Sequence, residues 1–169
     1  MTQIQVREAI EEDFHRIDEL QNEAFPDDVL LMSSEEMLDR CQGIKSGALL
    51  VAIYENKVVG YCVLTDRSYR PWTGWDFLAV DPSYTRLGIA SKLTDQAFRS
   101  ANRLFIRGFV RSKNSGALAH YRKWGFVQTG LKREFYSDGD DAIVLLGQRI
   151  LKPSIVTPLT NRLPGWSFN

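Results

Sequence analysis

Residues 75–93, WDFLAVDPSYTRLGIASKL, decide the fold because they join a strand, a turn and the start of a helix in direct succession. WDFLAV is a strand-like run, and DPSY is a turn signal. Small and apolar residues then recur at helical spacing, which predicts a buried helix face made of Ala90, Leu93, Ala97, Phe98 and Ala101. A further strand-like run, LFIRGFV, follows at residues 104–110. This order predicts two strands joined by a right-handed crossover.

The start of this helix carries unusually small side chains at Gly88 and Ala90, with Arg86 just upstream. One explanation is tight packing. The other is a ligand that approaches the backbone N–H groups, which are unsatisfied at a helix N-terminus and can bind phosphate. The loop contains neither the GxxxxGK[ST] of a P-loop nor the full GxGxxG of a dinucleotide-binding turn. On its own, the loop leaves both explanations open.

The rest of the chain supplies more strands and helices around this unit. The other strand-like runs are residues 4–9, 48–54, 58–66, 126–136 and 142–150. Helical spacing follows the first strand, and Ser33 or Ser34, with Glu36 nearby, looks like the cap of a second helix ending near Gly43. ENK, between the runs at 48–54 and 58–66, is a hairpin signal, and we interpret RSYRPWTG as a loop. SGALAHYRKW predicts a short helix stopped by Gly125. The succession predicts a mixed α/β sheet.

Composition narrows the class of protein. The chain has 169 residues, 44% of them hydrophobic, with 21 basic and 21 acidic side chains, so we expect one folded domain that binds no nucleic acid over its whole surface. The two cysteines, Cys41 and Cys62, suggest neither a disulfide framework nor a metal site. The start of the chain lacks the apolar region of a signal peptide, and no apolar run is long enough to cross a bilayer. We therefore expect a cytoplasmic protein without a membrane anchor or a metal.

The last part of the chain differs in composition from the rest. Residues 152–169 carry three of the six prolines, and we interpret them as an extended tail. The predicted division is a domain over residues 1–151 and a Pro-rich tail over residues 152–169.

Two blocks of sequence carry a family resemblance. VDPSYTRLGIASKL, followed by VRSKNSGALAHYRKWGF, resembles the GNAT superfamily of acetyl-CoA-dependent N-acetyltransferases. The family's loop pattern is Gln or Arg, two residues, Gly, one residue, then Gly or Ala, and here Thr85 departs from its first position. The second block matches the family at Asn114, Ala117, Tyr121, Gly125 and Phe126.

Within the superfamily, NEAFP and GFVQTGLKREFYSDGDDAIVLL look like the ribosomal-protein N-terminal alanine acetyltransferases. In that group, the strand before the second block carries a glutamate base. Phe109 stands at that position here.

The resemblance implies an α+β GNAT fold with a mixed, curved sheet of about six to seven strands and about four helices. Acetyl-CoA would enter where two central strands splay apart. Its pantetheine would bind the main chain of Leu78, Ala79 and Val80, and Asn114 would hold the far arm of the cofactor. The pyrophosphate would lie on the loop formed by Arg86, Leu87, Gly88, Ile89, Ala90 and Ser91.

Two residues are candidates for catalysis, Tyr121 through the resemblance and Asp76 through its position in the sequence. Tyr121 stands at the family's acid position, and a phenol with a pKa of about 10 can reprotonate a CoA thiolate. Ala117, Tyr121 and Trp124 share a helical face, so a purely structural aromatic is the alternative. Asp76, near the thioester site, is the candidate base for the amine, and an ordinary solvated strand residue is its alternative.

The predicted reaction is direct acetyl transfer to a primary amine, with a protein or peptide N-terminus as the first acceptor. A small amine, an amino-acid-like metabolite or a catalytically idle acyl-CoA-binding module are the alternatives. The acidic residues Asp27, Asp28, Glu35 and Glu36 suggest a cationic acceptor or plain solvation. We expect acetyl-CoA and an amine as partners, no nucleic acid or membrane, and a monomer or homodimer.

Overall fold

The computed structural model describes residues 3–25, 32–43, 47–67 and 69–149, which form one seven-stranded sheet with helices on both faces. The strands are β1 (Gln5–Glu8), β2 (Ala48–Tyr54), β3 (Lys57–Asp66), β4 (Trp72–Val80), β5 (Phe105–Arg111), β6 (Val127–Lys132) and β7 (Ala142–Gln148). The helices are α1 (Phe14–Ala24), α2 (Ser34–Gly43), α3 (Ile89–Ser100) and α4 (Ser115–Lys123), with short 3-10 turns at Glu11–Asp13 and Pro82–Tyr84.

The sheet is mixed, as predicted. Its strand order is β1-β2-β3-β4-β5-β7-β6, and every neighbouring pair is antiparallel except β4 and β5. Helix α3 connects these two parallel strands. The fold class and the numbers of strands and helices agree with the GNAT fold that the sequence resembles.

Two apolar layers hold the helices against the sheet. On one face, Ile17 and Leu20 of α1 and Met37 of α2 pack with the buried Tyr61 of β3. On the other face, Leu93 and Phe98 of α3 and Leu118 of α4 pack with Trp75 and Ile106. Each face of the sheet is therefore covered by a different pair of helices.

Local signals worked well where a few neighbouring residues decide the structure. Ser33 and Glu36 exchange side-chain and backbone hydrogen bonds of 3.0 and 3.2 Å, which is the reciprocal cap predicted for α2. The ENK segment forms the predicted hairpin turn, with Glu55 and Asn56 at positive φ.

Two details of the central unit differ from the prediction. Strand β4 begins at Trp72, so part of the segment interpreted as a loop is paired with β3 and β5. The buried face of α3 includes Ile89 and Thr94, whereas Ala90 is only partly buried. A buried threonine is tolerated there because its hydroxyl donates to the Ala90 carbonyl oxygen at 2.7 Å.

Some predictions lie outside the described residues. These include the tail at residues 152–169, the domain boundary at residue 151, and the acidic side chains Asp27 and Asp28. Within the described ranges, none of the helices has the length and apolar character needed to span a membrane.

Candidate active site

Strands β4 and β5 separate in the middle of the sheet. They are paired from Trp72 and Phe105 to Trp75 and Gly108, after which β4 continues to Val80 without β5 beside it. Strand β5 continues to Arg111 but stays paired with β7. The central strands therefore splay apart, as the resemblance implied.

Asp76 lies at the point of separation. In the register between β3 and β4, Leu64 pairs with Trp75 and Val63 pairs with Phe77, which leaves Asp76 as an extra residue in a β-bulge. Bulges bend a strand and re-aim a side chain, and they are frequent beside active sites. The bulge thus accounts both for the parting of the strands and for the unusual position of this carboxylate.

The exposed edge of β4 presents main-chain groups to the opening. The Asp81 N–H donates to the Val59 carbonyl oxygen at 2.9 Å, and residues in an antiparallel pair alternate between bonded and non-bonded positions. Leu78 and Val80 consequently direct their N–H and C=O groups away from β3. The N–H and C=O groups of Ala79 point toward β3, and the Ala79 side chain is buried.

A cavity of about 390 Å³ occupies the opening. Phe25 and Met32 line it from the side of α1 and α2, whereas Ala117 and Tyr121 line it from α4. The cavity therefore reaches both helix layers through the split sheet. Among the predicted site residues, it brings together Asp76, Leu78, Asn114 and Tyr121.

The environment of Asp76 is neither bulk water nor a sealed core. Its side chain is solvent-accessible, because it lines the cavity, and one carboxylate oxygen accepts a 2.8 Å hydrogen bond from the Thr65 hydroxyl. Surrounding protein raises its pKa by desolvation, while the Thr65 hydrogen bond and the nearby Arg67 and Arg40 charges oppose that rise. Asp76 is thus exposed to the cavity and hydrogen-bonded to Thr65, and its role as the base stays a prediction.

Tyr121 is packed among aromatic side chains and also lines the cavity. Its ring packs edge-on against Trp75 at 5.6 Å and Phe126 at 5.2 Å, and only 8% of the residue is exposed. The same side chain also lines the cavity opposite Asp76. Burial raises the pKa of the Tyr121 phenol, so the hydroxyl stays protonated at neutral pH.

Phe109 occupies the position where the related enzymes carry a glutamate. It stacks on Phe135 with 5.3 Å between ring centroids, and the Lys132 ammonium lies 4.8 Å from its ring. This aromatic pair forms one wall of the cavity. Within the described lining, Asp76 is left as the carboxylate available to an acceptor amine.

The structure of the loop before α3 shows why a glycine stands at position 88. Gly88 has φ +84°, and a Cβ atom placed there would meet nothing within 4 Å. Tight packing is therefore not the reason for the glycine. The reasons visible in the structure are the left-handed backbone and the open space in front of the helix, whose N-terminus has no side-chain cap.

The six loop residues lie beyond the cavity, at the far end of β4. Arg86 also has a positive φ, of 65°, and Arg86, Leu87 and Gly88 are exposed. Ile89 is buried beneath them, and Ala90 and Ser91 are partly exposed. The turn is therefore open to solvent and has no side-chain cap.

Asn114 begins α4. Its side-chain oxygen accepts the Ala117 N–H at 2.9 Å, which makes it the N-cap of the helix, and its side chain also lines the cavity. The asparagine therefore has a local structural role that the family resemblance did not imply.

Several residues near the site were missed by sequence reasoning. Thr65 lies on β3, Arg40 on α2, and Arg67 in the loop after β3. No spacing rule connects them to Asp76. His120 hydrogen-bonds Thr94 at 2.8 Å and so links α4 to α3. Within the described ranges, no three His, Cys, Asp or Glu side chains are grouped as metal ligands.

Known proteins share both the sequence pattern and this architecture. The model of the acetyltransferase (GNAT) family matches residues 14–126. An N-alpha-acetyltransferase of Sulfurisphaera tokodaii is 28% identical over 119 residues, which cover 58% of this chain and 67% of the archaeal protein. A crystal structure of Ard1 from Thermoplasma volcanium superposes with a TM-score of 0.74 at 25% identity, covering 87% of this chain and 98% of that one.

A second solved structure contains acetyl-CoA. A GNAT family acetyltransferase from Elizabethkingia anophelis with acetyl-CoA bound has a TM-score of 0.64 at 22% identity, covering 86% of this chain and 97% of that one. The split sheet, the cavity and the open loop before α3 agree with a transferase that uses acyl-CoA. This chain belongs to the acetyltransferase (GNAT) family.

Proposed function

We propose that this acetyltransferase transfers the acetyl group to the α-amino group of a peptide or protein N-terminus. The observation that carries the proposal is the cavity that reaches both helix layers where β4 and β5 part. A donor and an acceptor can then approach the same point from opposite faces of the sheet. The N-alpha-acetyltransferase identity of the archaeal relative supports a peptide N-terminus as the acceptor.

The donor site follows β4 into the loop before α3. Acetyl-CoA supplies the acetyl group as a thioester, and the outward main-chain groups of Leu78 and Val80 would bind its pantetheine arm. The N–H groups of residues 86–91 would hold the pyrophosphate, because a helix N-terminus favours anions. Ala79, whose main-chain groups point toward β3, would hold this edge of β4 in place. Asn114 would contact the donor from the start of α4.

Acid and base roles fall on opposite walls of the cavity. An α-amino group has a pKa of about 7.7 to 8.0 and must lose a proton before or during attack, which the Asp76 carboxylate would accept directly or through water. An outward N–H near Leu78 would stabilise the developing oxyanion. The Tyr121 hydroxyl would donate a hydrogen bond to the departing thiolate. Because its raised pKa exceeds that of a thiol, this hydrogen bond would persist without full proton loss.

Direct transfer fits the arrangement better than a covalent enzyme intermediate. Cys41 and Cys62 are both buried, and neither lines the cavity. Burial also raises the pKa of the Cys41 thiol to about 12, which keeps it from forming a thiolate. Two free cysteines also support the cytoplasm as the compartment, and we propose a monomer or homodimer acting without nucleic acid.

The test is acceptor-dependent release of CoA thiol, measured with short peptides carrying free N-termini and with the same peptides acetylated. We expect release with the free peptides and none with the blocked ones, and a lower rate for Tyr121→Phe. Tight acetyl-CoA binding without release for any amine would instead establish an idle acyl-CoA-binding module. Release with polyamines or free amino acids alone would replace the peptide by a small metabolite.

A further inference from the structure

Among the residues that the structure describes, the charges lining the cavity are mainly positive. Arg40, Arg67 and Arg111 contribute guanidinium groups, whereas Asp76 contributes the carboxylate. The acidic side chains that suggested a cationic acceptor do not line it in the described residues, since Glu35 and Glu36 are exposed on the first turn of α2. A cavity with this balance is suited to an acceptor that carries a negative charge beside its amine.

The three arginines are not equivalent. Arg111 is engaged with Asp138 at 2.8 Å, and its guanidinium lies 4.0 Å from the Tyr136 ring centroid. Arg67 donates to the neutral Tyr69 hydroxyl at 3.1 Å, and Arg40 and Arg67 form no ion pair with another described residue. Two guanidinium charges therefore remain available to a ligand.

Both free charges lie at the acceptor end of the site. Arg67 follows β3, level with the start of β4, where Asp66 pairs with Thr73. The loop expected to hold the donor phosphates comes after Val80, which is four residues, or about 13 Å of strand, beyond Asp76. Arg40 belongs to α2, on the face of the sheet opposite α3 and α4. The donor phosphates therefore do not account for this pair.

Both arginines are also close to the proposed base. Their charges act on the Asp76 carboxylate, which lines the same cavity. A ligand group held between the arginines would lie near the amine that Asp76 deprotonates. Guanidinium groups bind carboxylates through paired, charge-assisted hydrogen bonds.

We propose that Arg40 and Arg67 bind a carboxylate of the acceptor within one or two residues of the amino group that is acetylated. This inference rests on the proposed function and specifies its substrate class. The carboxylate can come from an acidic side chain at the start of a peptide or from the α-carboxylate of a short peptide or amino acid.

The test uses two pairs of acceptors that differ only in one negative charge. The first pair is the amidated tetrapeptide Glu-Ala-Ala-Ala against Gln-Ala-Ala-Ala, and the second is the dipeptide Ala-Ala against its amide. Thiol release gives kcat/KM for each, with the wild type, Arg40→Gln, Arg67→Gln and Arg40→Lys. Arg99→Gln is the matched control, because Arg99 lies on the outer surface of α3 and pairs with Asp95.

We expect the wild type to prefer the charged member of at least one pair by roughly tenfold or more. The pair that shows the preference identifies the source of the carboxylate. Arg40→Gln and Arg67→Gln should each bring the ratio toward one, Arg40→Lys should retain part of it, and Arg99→Gln should leave it unchanged. Added salt should also reduce the ratio, because it screens the charges.

Equal rates within both pairs, or a preference that survives both glutamine variants, would overturn this inference and leave the N-terminal acetyltransferase proposal intact. A lack of release with all four acceptors, despite acetyl-CoA binding, would overturn both. A loss of release with neutral and charged acceptors alike in the glutamine variants would show that the arginines serve the reaction without selecting a carboxylate. That result would also overturn the inference.

Discussion

The Thr65 hydroxyl lies 2.8 Å from a carboxylate oxygen of Asp76 and donates a hydrogen bond to it. This bond joins β3 to the bulged residue of β4, where the central strands part. It favours the ionised carboxylate, whereas the surrounding protein favours the neutral form. The balance between the two sets the pH range in which Asp76 can accept a proton.

Replacing Thr65 by valine should move the acidic limb of the pH profile. Loss of the hydrogen bond raises the pKa of Asp76 further, so kcat/KM should begin to rise at a higher pH than in the wild type. Thr65→Ser keeps a hydroxyl and should retain the wild-type profile. Thiol release from pH 5 to 9 measures the shift, and identical limbs for Thr65→Val and the wild type would contradict it.

Asp76→Asn should lower the activity of the enzyme without lowering its stability at pH 7. Without a carboxylate, we expect kcat/KM at neutral pH to fall by about 100-fold or more and the acidic limb to disappear. The pKa of Asp76 is raised in the folded state, so the folded protein holds this proton more tightly than the unfolded chain. Stability is therefore lost as pH rises from about 3.9 through the raised pKa.

Asn cannot ionise, so the variant should be at least as stable as the wild type at pH 7. Urea unfolding at pH 4 and pH 7 measures this difference. A variant that is inactive because it unfolds more easily at pH 7 would argue for a structural role of Asp76.

Tyr121→Phe should keep the fold while slowing the reaction. The phenylalanine ring can retain the edge-on contacts with Trp75 and Phe126, so the thermal midpoint should change little. Loss of the hydroxyl should lower kcat by about 100-fold and leave KM for acetyl-CoA nearly unchanged, because the interaction forms with the departing thiolate. Unaltered kcat would leave Tyr121 as a packing residue alone.

Gly88→Ala should weaken acetyl-CoA binding by more than its effect on stability explains. The positive φ makes alanine strained by about 1 kcal/mol, although space for the Cβ is open. Gly139→Ala is the matched control, because Gly139 has φ +80° and also meets no atom within 4 Å. Both variants should lose similar stability in urea unfolding. A rise in KM for acetyl-CoA in Gly88→Ala alone would support the loop as the phosphate site, and equal KM values would remove it.

His120 should make stability depend on pH. The Thr94 hydroxyl donates to the Ala90 oxygen, so the His120 ring must donate from Nε2 to Thr94. Burial, with a smaller effect of Lys123, lowers the pKa of His120, so the unfolded chain binds its proton more readily than the folded one. Stability should therefore fall as pH drops below about 6.5.

His120→Gln keeps a side-chain N–H donor but cannot titrate, so its stability should change less between pH 7.5 and 5. An equal loss of stability between pH 7.5 and 5 in His120→Gln and in the wild type would refute this link between His120 and the pH dependence.

Local chemistry explains which features could be predicted from the chain alone. The reciprocal cap at Ser33 and the hairpin turn at Glu55 and Asn56 depend on residues within four positions of one another. The buried face of α3 was predicted less accurately, because Thr94 follows no apolar pattern and is stabilised by partners from two helices. Side-chain polarity is a good guide only until a specific hydrogen bond offsets it.

The candidate site could likewise be predicted only where neighbouring residues decide the structure. Gly88 was recognised as unusual, but tight packing could not be excluded until the space around it was known. The β-bulge at Asp76 has no local signal, since WDFLAV fits a regular strand equally well. Arg40 and Arg67 could not be associated with Asp76, because charged residues far apart in sequence have no preferred spacing.

By itself, the sequence determined the order of the elements, the parallel crossover around residues 75–110, and the family through the motifs at residues 80–93 and 110–126. Those features depend on periodicity and on short motifs, which act over a few neighbouring residues. Only the tertiary structure decided that β4 and β5 part at Asp76 and that one cavity reaches both faces of the sheet. The physical reason is that strand register, burial and the electrostatic environment of a carboxylate are set by residues distant in the chain.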